Sequence, residues 1–172
     1  MKTKILLAIL LVFATRIVSY SQITKAEIMA TGLTCSMCSN AINKQLKALP
    51  EVESVTTDLN TNTFTVQLKK DNQITPLTLK QRVEKAGFFV GSMIITLKLD
   101  NPKWNDKTSL TQKDYTYVLV DNATNQVKDQ IEAKVMDKGF LTPKEYKKML
   151  KSLSKYPTYT AADEKTFHLK QL

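Results

Sequence analysis

Residues 32–50 read GLTCSMCSNAINKQLKALP, and the order of signals within this stretch decides the fold around it. Gly32 closes a short half-apolar run, and two cysteines follow with two residues between them. From Ser36 the pattern turns helical. Cys38, Ile42, Leu46 and Leu49 recur at spacings of four, four and three, and Pro50 stops the run. A strand enters, a helix leaves, and the thiols sit on the junction.

Working outward, Lys25 to Thr31 (KAEIMAT) reads as the entering strand. Downstream, Val52 to Leu59 alternates, with Val55, Thr57 and Leu59 expected on one side. NTNT at 60–63 is turn chemistry, and Phe64, Val66 and Leu68 alternate again, which predicts a hairpin. Thr75 and Pro76 open a second helix as N-cap and first-turn residue. Leu79, Val83 and Ala86 form its apolar face, and Gly87 ends it as a left-handed cap. VGSMIITLKL at 90–99 supplies a fourth strand. The order β-α-β-β-α-β predicts a four-stranded antiparallel sheet with both helices on one face.

Asn101-Pro102 marks a boundary, and polar residues dominate as far as Asp114. Beyond it, Tyr115 to Val120 (YTYVLV) is a strand, closed by Asp121-Asn122. Gln130 to Met136 alternates like a strand, although its neighbourhood is rich in helix formers. Thr142-Pro143 caps an amphipathic helix with Tyr146, Leu150 and Leu153 facing in and Lys144, Lys148, Lys151 and Lys155 on another stripe. Thr166 to Gln171 is a final strand. The expected organisation is a domain at 22–99 and a small C-terminal α+β unit of unknown fold at 100–172. Trp104, in the polar connector, is expected to pin the two together.

The first 21 residues are set apart by their chemistry. MKTK is positive, ILLAILLVFA is an uninterrupted apolar run, and Ser19 and Ser21 occupy the −3 and −1 positions of a cleavage point. That pattern predicts a secretory signal peptide, with Gln22 as the mature N-terminus, and a periplasmic or secreted protein. The rival is an uncleaved anchor, which Arg16 interrupts. Cleavage removes Lys2, Lys4 and Arg16 and no acid, so the formal charge falls from +9 to +6. With no dense basic run and no nucleic-acid module, no nucleic-acid partner is expected. Membrane contact is expected only through the signal segment.

Two cysteines in an exported chain favour a disulfide on compartment alone. A bridge over two intervening residues, however, restricts the unfolded chain little. The pair is better placed for chemistry. Free N–H groups at a helix start favour thiolate, and two thiolates can grip one soft ion such as Cu(I) or Hg(II). Zn(II) would want four ligands, and the chain has no second cysteine pair and one histidine. Met37 could serve as a third soft ligand or face solvent. His168 could reach a metal only if the two units docked, and otherwise has a surface or packing role.

GLTCSMCSNAI, LPEVESVTTDLNTNTFTVQL and VEKAGF together resemble the heavy-metal-associated domain family over about residues 25–95. The family includes cytosolic copper chaperones, N-terminal domains of copper-transporting P-type ATPases and the periplasmic mercury-binding protein. Its signature is glycine, usually methionine, threonine or serine, then Cys-x-x-Cys. Gly32, Thr34, Cys35 and Cys38 match, and Leu33 replaces the methionine that packs beneath the loop. Phe88 sits where the family places an aromatic or lysine beside the metal. The resemblance implies a ferredoxin-like fold, Cys35 and Cys38 as metal ligands, and a metal-transporting membrane protein or other thiol acceptor as partner.

Two other uses of Cys-x-x-Cys fit less well. A thioredoxin-type enzyme would carry tryptophan before the first cysteine and a cis-proline facing the pair; Thr34 occupies the first position, and Pro50 and Pro76 delimit helices. Covalent haem attachment needs a histidine where Ser39 stands. The expectation is therefore a non-enzymatic metallochaperone or sequestering protein, with Cu(I) favoured over Hg(II). A secreted adaptor with a regulatory metal site and a dithiol redox protein remain as alternatives.

Overall fold

The computed structural model describes residues 21–33, 36–99, 109–112, 114–121, 130–161 and 163–172. Residues 1–20, Thr34, Cys35, Asn101-Pro102, Trp104 and Asn122 lie outside the described residues. Strand β1 (Ser21–Thr31) lies between β3 (Thr63–Leu68) and β4 (Phe89–Leu99), antiparallel to both, and β2 (Val52–Asp58) pairs with β3. Helices α1 (Ser36–Lys47) and α2 (Pro76–Lys85) complete a βαββαβ unit with strand order β2-β3-β1-β4. That order is the ferredoxin-like topology.

The helices form where the sequence places their signals. Thr75 caps α2 by accepting a hydrogen bond from the Thr78 N–H at 3.2 Å, and Pro76 occupies the first turn. At the other end Gly87 adopts φ +89°. The Gly87 N–H donates to Glu84 at 2.8 Å, and the Phe88 N–H to Val83 at 3.3 Å. This Schellman closure satisfies the last carbonyls and aims Phe88 back at the unit. Ile42, Leu46, Leu79 and Val83 pack on Ala26, Ile28, Phe64, Val66 and Ile95, all fully buried.

One register detail differs from the simple alternation. A bulge between Val52 and Ser54 shifts β2, so Val52 and Val55 face the core together. Thr57 is half-buried and accepts from Asn43 at 3.0 Å, whereas Leu59 lies past the strand end and is exposed. Leu59 is therefore a surface residue of the turn, held there because Asp58 starts an Asx turn, accepting from the Asn60 N–H and the Thr61 hydroxyl at 2.9 Å each.

The rest of the chain continues the same sheet. Strands β5 (Ser109–Gln112), β6 (Tyr115–Leu119), β7 (Gln130–Val135) and β8 (Thr166–Gln171), with α3 (Pro143–Leu153) and the short α4 (Pro157–Thr160), extend it to eight strands in the order β2-β3-β1-β4-β7-β8-β6-β5. β7 docks antiparallel on the outer edge of β4, pairing Ile95 with Ala133 and Leu97 with Ile131. β6 and β8 are parallel, so the sheet is mixed. The periodicity of the sequence predicts β6, β7, β8 and α3; the polar edge strand β5 and the single turn of α4 carry no such signal.

Ile131, Ala133, Val135, Tyr117, Leu119, Phe167 and Leu169 join the core of the first unit. Alternate residues on the other side, Val118 and Val120, pack with Met136, Leu141, Leu153 and Tyr159 in a second cluster beneath α3 and α4. The inward stripe of α3 is Tyr146, Met149 and Leu153, at i, i+3 and i+7. Leu150, expected inside, is 38% exposed. The helix rolls so that Met149 replaces it.

Candidate metal-binding loop

The loop between β1 and α1 is built by three local devices. Gly32 takes φ +88°, a left-handed conformation that a side chain would strain. Leu33 is half-buried and packs on the main core, the anchoring role expected of it. Phe88, delivered by the Schellman turn of α2, also packs on that core and lies against Gly32, where an added Cβ would be 3.8 Å from its Cδ1. The aromatic and the loop are therefore neighbours, as the sequence comparison of their positions implies.

Cys38 lies in the first turn of α1 and is half-buried. Cys35, its expected partner, is outside the described residues. The first turn of α1 holds no acidic residue, while Lys44 and Lys47 stand in its last turn. The partial positive charge of the helix start is thus unopposed, which favours negative charge on a sulfur there. Met37 points outward at 79% exposure and does not converge on Cys38's half-buried side of the helix. Ser39, directly after the second cysteine, is buried.

His168 is settled elsewhere. It is 1% exposed in β8; its Nδ1 donates to the Asp137 carboxylate at 2.7 Å, and its Nε2 lies 2.9 Å from the Thr158 hydroxyl. Its backbone N–H donates to the other Asp137 oxygen, also at 2.7 Å, and the Tyr159 ring meets it edge-on. With both ring nitrogens engaged, His168 ties β8 to the turn after β7 and to α4. It has a packing role. Among the described residues no group of three or more His, Cys, Asp or Glu side chains could hold a metal ion, and no helix is long and apolar enough to cross a membrane.

Residues 21–99 thus form a ferredoxin-like unit with Cys38 in the first turn of the helix that follows its first strand. The sequence model of the heavy-metal-associated domain matches residues 27–89. Through those residues the chain belongs to the heavy-metal-associated domain family. A copper-transporting ATPase of Saccharomyces cerevisiae is 42% identical over 57 residues, which are 33% of this chain and 6% of that protein. The chain thus spans only a small part of that relative's length. Among solved structures, the yeast copper transporter domain Ccc2a, studied in apo and Cu(I)-loaded states, is 37% identical over 38% of this chain and 88% of that one, with a TM-score of 0.35. The Atx1–Cu(I)–Ccc2a complex contains a chain 35% identical over 42% of this chain and 93% of its own, TM-score 0.35. Residues 27–89 are a heavy-metal-binding domain related to copper-transporter and chaperone domains.

Proposed function

We propose that this protein carries Cu(I) between thiol sites outside the cytoplasm, binding it through Cys35 and Cys38. The observation that carries the reading is Cys38 in the first turn of α1, a turn with no acidic residue, at the junction into which the sequence puts Cys35, with Leu33 and Phe88 packed on the core. Soft thiolates select Cu(I), and Hg(II) is the next ion such a pair would take. The relatives named for copper support the first ion.

Transfer proceeds by ligand exchange. A thiol of the acceptor loses its proton and its thiolate adds to the bound ion, giving a three-sulfur intermediate. One copper–sulfur bond to this chain then breaks, a second acceptor thiolate adds, and the other bond breaks in the same way, each released sulfur taking up a proton. Copper remains Cu(I) and no electron moves. No bond to carbon changes, so the protein acts as a carrier and not as an enzyme. The similarity to a copper-transporting ATPase and to a chain of the Atx1–Cu(I)–Ccc2a complex supports a metal-transporting membrane protein as acceptor.

Export rests on the signal-like N-terminus, whose expected cut falls at the first residue of β1. In an oxidising compartment the pair must be reduced before it loads, so copper uptake depends on a thiol reductant. The test is anaerobic competition of reduced mature protein against a calibrated Cu(I) chelator, beside a Cys35→Ser/Cys38→Ser variant. One ion per chain is expected, lost in the variant, with folding stability changed by less than about 1 kcal/mol. Equal, weak binding by both proteins would sink the carrier reading and leave the dithiol redox role, measured by the pair's reduction potential.

A further inference from the structure

The C-terminal half brings an unassigned surface up to the metal loop. A cavity of about 520 Å³ opens where the start of β4 meets the segment leading into α3, lined by Thr31, Phe89, Val90, Leu141, Pro143 and Tyr146, and by Glu84, whose carboxylate is paired with Lys80 at 3.0 Å. Its lining is mostly apolar. Thr31 is the residue before Gly32, and it is held to β4 by its hydroxyl donating to the Phe89 carbonyl at 3.3 Å. The cavity therefore begins one residue from the loop that carries the cysteines.

Phe89 is 67% exposed, although the next residue, Val90, is buried. Phe89 extends the apolar lining of the groove into an exposed contiguous patch, the kind of surface that marks an interaction site. The apolar surface continues along α3: Leu150, one turn beyond Tyr146, is the helix residue that rolled out of the core. The neighbouring ridges of α3 are cationic. Lys144, Lys147, Lys148 and Lys151 are exposed, and among the described residues no carboxylate pairs with them. Lys138, on the cavity rim, is also exposed. In contrast, Lys134 and Lys155, at the two ends of this region, are each held by an acid, Glu145 at 2.6 Å and Asp121 at 2.7 Å.

We infer that this groove docks an acidic polypeptide segment that inserts an apolar side chain between Phe89 and Tyr146, presented by the protein that exchanges metal with Cys35 and Cys38. The inference rests on the carrier reading for the partner's role, and on the groove itself for the binding. Charge complementarity selects the acidic sequence, since the unpaired lysines would attract it and hold it in register. The concave apolar lining selects a side chain over a flat lipid surface. Docking there would set the partner's thiols beside the loop, so the C-terminal half decides which acceptor receives the ion.

The test uses the reduced mature chain and a panel of short fluorescent peptides, acidic or neutral, each with and without a central Phe or Leu. Only the acidic peptides with the apolar residue should bind, with an affinity that falls as salt rises. Lys147→Glu with Lys151→Glu should weaken that binding about tenfold or more by reversing two attractive charges. Phe89→Ser should weaken it to a similar degree, about tenfold, by removing the apolar anchor's contact. Both sites are exposed, and unchanged melting would show the variants folded. Cys35→Ser/Cys38→Ser should bind the peptide like the parent, so a failed copper competition and a failed groove are read separately. Equal binding of all peptides, or binding indifferent to Phe89 and to the lysines, overturns the proposal. So does tight binding to anionic phosphatidylserine vesicles with no peptide binding, which would make the surface a membrane contact.

Discussion

The two halves of the eight-stranded sheet are built on different rules. In β2-β3-β1-β4 one face is covered by α1 and α2 and the other is open. On that open face Lys25 pairs with Glu27 at 2.9 Å and with Glu132 of β7 at 3.2 Å; the Glu27 carboxylate, followed by Glu132, holds its ammonium above the usual lysine range. In β8 and β6 both faces are covered, the second by α3 and α4. Phe167, His168 and Leu169 are consequently buried in succession, without alternation. The first half can carry a site because its loops are fixed by a core of its own. The second half owes part of its core to the first.

That difference should show first in the isolated pieces. A chain of residues 22–99 keeps α1, α2 and four paired strands, and it should unfold cooperatively. A chain of residues 100–172 loses the β4 edge on which β7 pairs and the apolar residues behind Ile131, Ala133 and Val135. It should show no cooperative thermal transition by circular dichroism. A sharp melt from that second piece alone would break the comparison outright.

A smaller effect sharpens it. Phe64 is fully buried in β3, far along the sheet from β8. Phe64→Ala should cost about 3–5 kcal/mol through lost burial and an unfilled cavity. Because the main core is contiguous from Phe64 to Leu169, native-state hydrogen exchange should speed in β3 and β8 together. If β8 amides kept their full protection, the two halves would be separate cooperative units.

Smallest is an acid-sensitive turn in each half. Asp58 accepts from Asn60 and Thr61 at the β2–β3 turn, and Asp163 accepts from the Lys165 N–H and Thr166 hydroxyl before β8. In both, the backbone hydrogen bond first and then the hydroxyl hold the carboxyl below its ordinary 3.8. A lowered folded value means the stabilisation is present above pH 3.8 and is lost as pH falls through the lower folded value. Asp163→Asn should therefore melt slightly below the parent at neutral pH, and the gap should close below about pH 3.8. A gap that is constant with pH would show that the carboxylate charge plays no part.

Much of this was legible in the chain itself. The helix caps at Thr75 and Thr142, the turn at 60–63 and the strand at Thr166–Gln171 lie where the residues announce them. The cysteine pair stands out as a candidate site because its spacing coincides with the start of a helical period. Leu59 and Leu150 depart from the expected faces for a shared reason: periodicity gives a stripe but not the turn or helix roll that ends it. β5 and α4 are too short and too polar to leave a periodic trace.

By itself, the sequence determined the local elements and marked the candidate thiol loop, since caps, glycines and alternation act within a few residues. Only the tertiary structure decided that β7 pairs with β4, that His168 meets Asp137 and Thr158, and that Phe89 and Tyr146 share one groove. The β4–β7 pairing joins residues far apart in the chain through an exposed strand edge, and the other contacts follow from it. Backbone hydrogen bonding along such an edge is nearly the same for any side chain, so it leaves no local pattern to read.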